Sequence, residues 1–239
     1  MASLAVKVNQ VAALRENRNN HFPDPVASAI VAELAGADGI AVHLREDRRD
    51  IQDRDVRILR EVIQSKFILE MASTSEMVGV ALNVKPDLVM LVPEKREEFS
   101  ANGGFDLIIH KDDIGETAGA LQNSAIPVGL LIDPDLEQVK LAHKTDVGLV
   151  EINSAAYCES RTPSKRQLAF SKIVDSVKLA HKLKLSVKVG HGLGYKTIKA
   201  FKGLNEVDEF TIGHSIVARA LLTGMEKAVA EMSNLIKTL

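Results

Sequence analysis

The chain has 239 residues, 46% hydrophobic and 26% charged, with 30 Lys and Arg against 32 Asp and Glu. That length builds one large core, or two small ones at a stretch, and a net charge of −2 does not suggest a broad nucleic-acid-binding face, though it leaves room for a local patch. The single cysteine, Cys158, excludes an internal disulfide and a Cys-based zinc cluster, and 4% aromatic residues with no Trp leave no stacking platform for single-stranded nucleic acid. No apolar run approaches the roughly 20 residues that span a bilayer. Met1–Lys7 lacks the basic start and long apolar stretch of a signal peptide. The expectation is a soluble, cytoplasmic protein with neither nucleic-acid nor membrane partners.

Taken in chain order, short β-branched runs alternate with helical patterns. Leu4–Val8 is the first expected strand. Asp24-Pro25 supplies an N-cap and an N1 proline for a helix to about Ala35, with Gly36 just beyond its end. Ile40–His43 is the second strand, and Val56, Ile58, Leu59, Val62 and Ile63 then recur at helical spacing. Four further pairs follow: Phe67–Met71 with Ser75–Val84, Leu88–Val92 with a helix near Asp112–Gln122, Val128–Ile132 with Asp135–His143, and Gly148–Ile152 with Lys165–Lys182. The last two are Ser186–Gly190 with Tyr195–Phe201, and Phe210–Ile212 with a helix from about Ser215.

Strict alternation of strand and helix means a parallel sheet with right-handed crossovers. Eight such units in this length predict a (β/α)₈ TIM barrel, one α/β domain over residues 1–239. An open dinucleotide-binding sheet fits less well, because no G-x-G-x-x-G follows the first strand. Within the strands Leu4, Val6 and Val8 alternate with Ala5, Lys7 and Asn9, and Leu185, Val187 and Val189 with Ser186, Lys188 and Gly190. With the apolar set against the helices, Lys7, Asn9, Glu70 and Lys188 face the barrel interior.

Barrel active sites are built at the C-terminal ends of the strands. Those ends carry His43, Glu70, Glu151, His191 and His214. Any one histidine reads equally well as a hydrogen-bonded rim residue, but their convergence with two carboxylates suits proton transfer near neutral pH. Gly190-His191-Gly192 and Gly213-His214-Ser215 leave backbone N–H groups open to an anion, the second at a helix N-terminus, although plain turn chemistry would use the same residues. Arg45 and Arg18 lie where a guanidinium reaches a phosphate at the mouth. No H-x-x-x-H or H-E-x-x-H occurs, and no metal site is expected.

The run His43-Leu44-Arg45-Glu46-Asp47-Arg48-Arg49 resembles the pyridoxine 5′-phosphate synthase family. So do Asp53-Arg54-Asp55-Val56, Leu69-Glu70-Met71, Pro93-Glu94-Lys95-Arg96, Gly190-His191-Gly192-Leu193 and Ile212-Gly213-His214. The resemblance covers essentially the whole chain. It implies condensation of 3-amino-2-oxopropyl phosphate with 1-deoxy-D-xylulose 5-phosphate, without metal or organic cofactor, in a homo-octamer. By the same resemblance His43 and Glu70 are proton acceptors, His191 a proton donor and Glu151 a stabilising carboxylate. Arg18, Arg45, Ser100, Gly192, Gly213 and His214 fall at substrate or phosphate positions, and Ser100–Gly104 is the expected lid loop.

The chain also departs from that family. Where the family's first strand reads N-x-D-H, this chain has Lys7-Val8-Asn9-Gln10; R-R-H becomes Arg48-Arg49-Asp50, and N-A-G-H-G becomes Lys188-Val189-Gly190-His191-Gly192. Lys7, Asn9, Gln10 and Asp50 therefore stand at altered substrate-binding positions. Strands one, three and seven are all odd-numbered, which brings Lys7, Glu70 and Lys188 within one layer and pairs one or both lysines with Glu70. Lys7, Arg18, Arg45 and Lys188 then make the mouth cationic. Two alternatives stay open: a paralogue acting on another phosphorylated carbonyl compound through a Schiff base at Lys7 or Lys188, and a non-catalytic phosphate-ester-binding barrel.

Overall fold

A computed structural model describes residues 1–17, 20–95, 98, 100 and 103–239. Eight parallel strands close into one barrel in sequential order, β1 pairing with both β2 and β8. They are β1 Ser3–Lys7, β2 Gly39–His43, β3 Lys66–Met71, β4 Leu88–Leu91, β5 Val128–Ile132, β6 Leu149–Asn153, β7 Ser186–Gly190 and β8 Glu209–Ile212. The helices are α1 Asn9–Glu16, α2 Pro25–Leu34, α3 Asp53–Val62, α4 Ser75–Val84, α5 Leu107–Gln122, α6 Leu136–His143, α7 Ala155–Glu159, α8 Pro163–Lys182, α9 His214–Thr223 and α10 Met225–Ile236. The (β/α)₈ expectation holds. Among the described residues no helix is long and apolar enough to cross a membrane.

Strand parity sorts the core into two parts. Leu4, Val6, Ile40, Val42, Phe67, Leu69, Val187 and Val189 are fully buried outside the barrel, against the helix ring. Each such side chain stabilises the fold by about 1.5–3 kcal/mol. Ala5, Ala41, Ile68, Leu88 and Met90 point the other way and form a small apolar layer inside the barrel. The inward positions also include the charged residues Lys7, Glu70, Glu151, Lys188 and Glu209, described below.

Local signals explain the element ends. Asp24 accepts a hydrogen bond from Val26 N at 2.9 Å, so the expected N-cap and N1 proline open α2, and Gly36 follows at φ +97°. Four expectations change. Helix α1 begins immediately after β1, so Asn9 is a helix residue rather than the end of a strand. Helix α5 starts at Leu107, not near Asp112: Asp106 caps it, and Ile108 and Ile109 are exposed, so its first turn shows no apolar periodicity. The expected helix Tyr195–Phe201 shrinks to a single 3₁₀ turn, Ile198–Phe201. The last helix is broken at Gly224, φ +84°, into α9 and α10.

One buried ion pair ties α1 to α3. The Arg15 guanidinium bonds both carboxylate oxygens of Asp55, at 2.8 and 2.7 Å, and neither side chain sees appreciable solvent. The Asp55 carboxylate also accepts from Gln52 N at 3.0 Å, closing the start of α3. Asp55→Asn leaves a buried guanidinium with half its partner. The expected loss is about 3 kcal/mol or more in urea unfolding, whereas Arg49→Ala, at an exposed pair, should leave the urea midpoint essentially unchanged.

Candidate active site at the barrel mouth

A cavity of about 160 Å³ opens at the C-terminal end of the barrel. It brings together eight of the expected site residues: Lys7, Gln10, Glu70, Glu151, His191, Gly192, Gly213 and His214. Clefts of about 500 Å³ exist elsewhere, one of them lined by Asp106, Asp135, Leu168 and Lys172 among the outer helices. That cleft holds none of the titrating set and is not the place for this chemistry.

Glu70, from β3, is almost completely buried and forms an ion pair with the Lys7 ammonium across the barrel. Burial alone would raise its pKa, but Lys7, with His43 and His191 nearby, outweighs burial and holds the carboxyl well below the usual carboxylate range. Glu70 is therefore a carboxylate at neutral pH. The expected pairing with a lysine holds for Lys7.

Lys188 behaves differently. It is 1% exposed, and its ammonium lies 2.5 Å from Glu209 and 4.0 Å from Glu151, not against Glu70. Register explains this: β7 pairs Lys188 with Glu209 on β8 and with Glu151 on β6, deeper in the barrel than Lys7 at the β1 end. Lys188 does not line the mouth, so the expected cationic rim loses one member. Its burial also removes it as a Schiff-base nucleophile.

Glu151 accepts a hydrogen bond from the Thr211 hydroxyl at 2.9 Å, and its other oxygen lies 3.3 Å from His191 Nδ1. Gly190 makes this placement possible, because a Cβ there would come within 2.1 Å of Glu151 Oε1. His191 has φ +68° and Gly192 +78°, two successive left-handed residues that turn the loop back over the cavity. The loop is held from outside. Ser154 N donates to Gly190 O at 2.8 Å, its hydroxyl lies 2.6 Å from His191 O, and Tyr157 Oη donates to Thr197 O at 3.0 Å.

His43 ends β2, opposite Glu70 in register, and lies against Glu94 with Nε2 2.8 Å from the carboxylate. Burial pushes its pKa below the ordinary histidine value, and the Glu94 contact offsets only part of that. Glu94 is in turn held low: burial opposes its charge, but the His43 contact and the Glu46 N–H prevail. The sequence shows Glu94 only within the Pro93-Glu94-Lys95-Arg96 run after the fourth strand and gives it no role of its own. Continuing the inward parity of β4 through Leu88, Met90 and Val92 would have found it.

Asn9 is buried, and both ends of its amide bond the backbone of His43, accepting from N–H at 2.8 Å and donating to C=O at 2.9 Å. It fixes the β2 end rather than facing the cavity. Arg45 leans toward Glu94 at 3.8 Å, and the Asp50 carbonyl accepts from Arg15 at 3.1 Å. The Ser100 hydroxyl donates to Asp133 at 2.6 Å, at the far side of the mouth, on a carboxylate that also accepts from Asn153. Arg18 lies outside the described residues, as do Ala101 and Asn102 of the expected lid loop.

The anion side of the cavity is the start of α9. Gly213 precedes its first turn and has no room for a side chain, since a Cβ would come 2.8 Å from Lys7 O and 2.9 Å from Gln10 Oε1. Free N–H groups of the turn beginning at His214 thus sit beside the Lys7 side chain, a suitable seat for a phosphate. Among the described residues no group of three or more His, Cys, Asp or Glu is arranged to hold a metal ion.

Among solved structures, KGPDC from Streptococcus mutans superposes with a TM-score of 0.67 at 12% identity, covering 99% of this chain and 98% of its own. Thiamine phosphate pyrophosphorylase from Pyrococcus furiosus does so with 0.62 at 16%, covering 99% and 95%. At such identities the likeness is one of fold. Among curated sequences, the pyridoxine 5′-phosphate synthase of Desulforapulum autotrophicum is 55% identical over 239 residues, all of both chains. That of Desulfatibacillum aliphaticivorans is 52% identical over 232 residues, 97% of each. The family model described as pyridoxal phosphate biosynthesis protein PdxJ matches residues 4–238, and the chain belongs to that family.

Proposed function

We propose that this chain is a pyridoxine 5′-phosphate synthase, joining 3-amino-2-oxopropyl phosphate to 1-deoxy-D-xylulose 5-phosphate with loss of phosphate and water. The observation that carries the reading is one cavity in which Glu70 with its Lys7 counter-ion faces the Glu151–His191 pair, beside the start of α9. Imine formation, dehydration and ring closure need protons taken from carbon and delivered to departing oxygen. Glu70, kept charged by Lys7, is the permanent base. His43 stays neutral by burial, and a proton on Nε2 toward Glu94 leaves Nδ1 as its basic nitrogen. His191, at the open end with Glu151 against Nδ1, is the donor whose cationic form that carboxylate stabilises.

The substrates are thus phosphorylated small molecules, with Gly192, Gly213 and His214 at the phosphate seat and Gln10 on the cavity wall. Lys7 serves as counter-ion to Glu70 rather than as a nucleophile. We also infer a cytoplasmic homo-octamer, the assembly that the family resemblance implies. Exposed Ile109 on α5 and Leu221 and Leu222 on α9 offer apolar surface for contacts between copies. Light scattering should return eight times the 26.0 kDa chain mass.

Purified protein given both precursors should form product, followed by absorbance. Glu70→Gln and His191→Asn should each lower kcat by about 10²-fold or more, and a wild-type protein without turnover would overturn the assignment.

The pH dependence has a defined sign. Because His43 titrates below its ordinary value, kcat/KM should hold steady as pH falls through about 6.5 and decline only further down. Glu94 is the group that lifts His43, so Glu94→Gln should move the acid limb to still lower pH while reducing kcat.

A further inference from the structure

The barrel interior contains a column of alternating charge that runs its full height. Lys66, at the N-terminal rim, lies 3.2 Å from Glu209 Oε2, and Glu209 Oε1 lies 2.5 Å from Lys188. Lys188 stands 4.0 Å from Glu151 Oε2, and Glu151 Oε1 is 3.3 Å from His191 at the mouth. Each link comes from a different strand or strand end, and register sets Glu151, Lys188 and Glu209 side by side on β6, β7 and β8.

Glu209 already has a partly exposed partner in Lys66, so neutralising it does not by itself call for a second, fully buried lysine. Among the described residues Glu151 has no other cation beneath it. Thr211 supplies one hydrogen bond to Oε2, the oxygen that Lys188 faces, and the Gly190 backbone packs against the other oxygen, Oε1. The ammonium lies between the two carboxylates, against Glu209 and 4.0 Å from Glu151, so it acts on Glu151 as a charge. Charge at this depth acts strongly, because little solvent screens it.

We propose that Lys188 is a positioning residue, whose buried ammonium balances the Glu151 carboxylate from below and so sets the hold of Glu151 on His191. It touches no substrate, since it lies outside the cavity wall. The groups facing His191 and Glu151 are then Lys188 from β7, Thr211 and, through Lys188, Glu209 from β8, and Glu70 with Lys7 across the cavity. The inference rests on the synthase reading for its turnover measurement, but not for its spectroscopic one.

The test compares Lys188→Gln, and the charge-compensated pair Lys188→Met with Glu209→Gln, against wild type after circular dichroism has established the fold. The expected result is a kcat at least about tenfold lower with KM changed less than about twofold in both. The ¹⁵N NMR titration of the His191 ring should also move to higher pH in both, because a nearby cation has gone. A structural role limited to neutralising Glu209 predicts the opposite for the compensated pair: full kcat and an unmoved His191 titration, which would overturn the proposal. If the pair does not fold, Lys188→Gln decides by the same two readouts, an unmoved His191 titration again counting against it. Wild-type protein that fails to turn over both precursors sinks the synthase reading alone, and the His191 titration still decides the role of Lys188.

Discussion

An ammonium with 1% exposure is tolerable only where carboxylates surround it, and Lys188 has two. That requirement organises the barrel interior. Beside the apolar layer of Ala5, Ile68 and Met90, charges of alternating sign run from Lys66 and Glu209 at the N-terminal rim to Glu151 and His191 at the mouth, and the strand register decides which charge meets which. Glu70 stays charged because Lys7 is there, and Glu151 can face a histidine only because Gly190 has no side chain. The groups at the mouth are therefore the upper end of a charge arrangement that extends to the opposite rim.

Much of the molecule was legible from periodicity. The eight strands show as short apolar runs and alternation sets their inward residues, so Lys7, Glu70 and Lys188 are legible as interior positions from the sequence alone. The helix at Pro25 followed from its cap. Short or solvent-facing segments were less legible: α1 has eight residues, and the first turn of α5 shows Ile108 and Ile109 to solvent, so neither displays the pattern of a packed face.

Within the site, residue types were readable and partners were not. Parity states that Lys188 points inward, but not that its depth matches Glu209 rather than Glu70; that depends on shear, which no single strand encodes. Asn9 illustrates the same limit. As a strand-end amide it read as a substrate contact, yet a helix beginning one residue earlier turns it onto the backbone of His43. Glu94 was visible only as part of the Pro93-Glu94-Lys95-Arg96 run and Thr211 belongs to no motif, and each gains its meaning from its neighbour across the barrel.

Glu209 opens the last strand to be synthesised, and it is paired with Ser3 in register, with Lys66 and with Lys188. Until that strand emerges, Lys188 has no close counter-ion at its deep end and must keep its hydration. Dehydrating the interior and joining the first strand to the last are consequently one event, late in the life of the nascent chain. A ribosome-bound chain lacking β8 is then not a barrel with a gap. It is an open sheet whose centre is still wet.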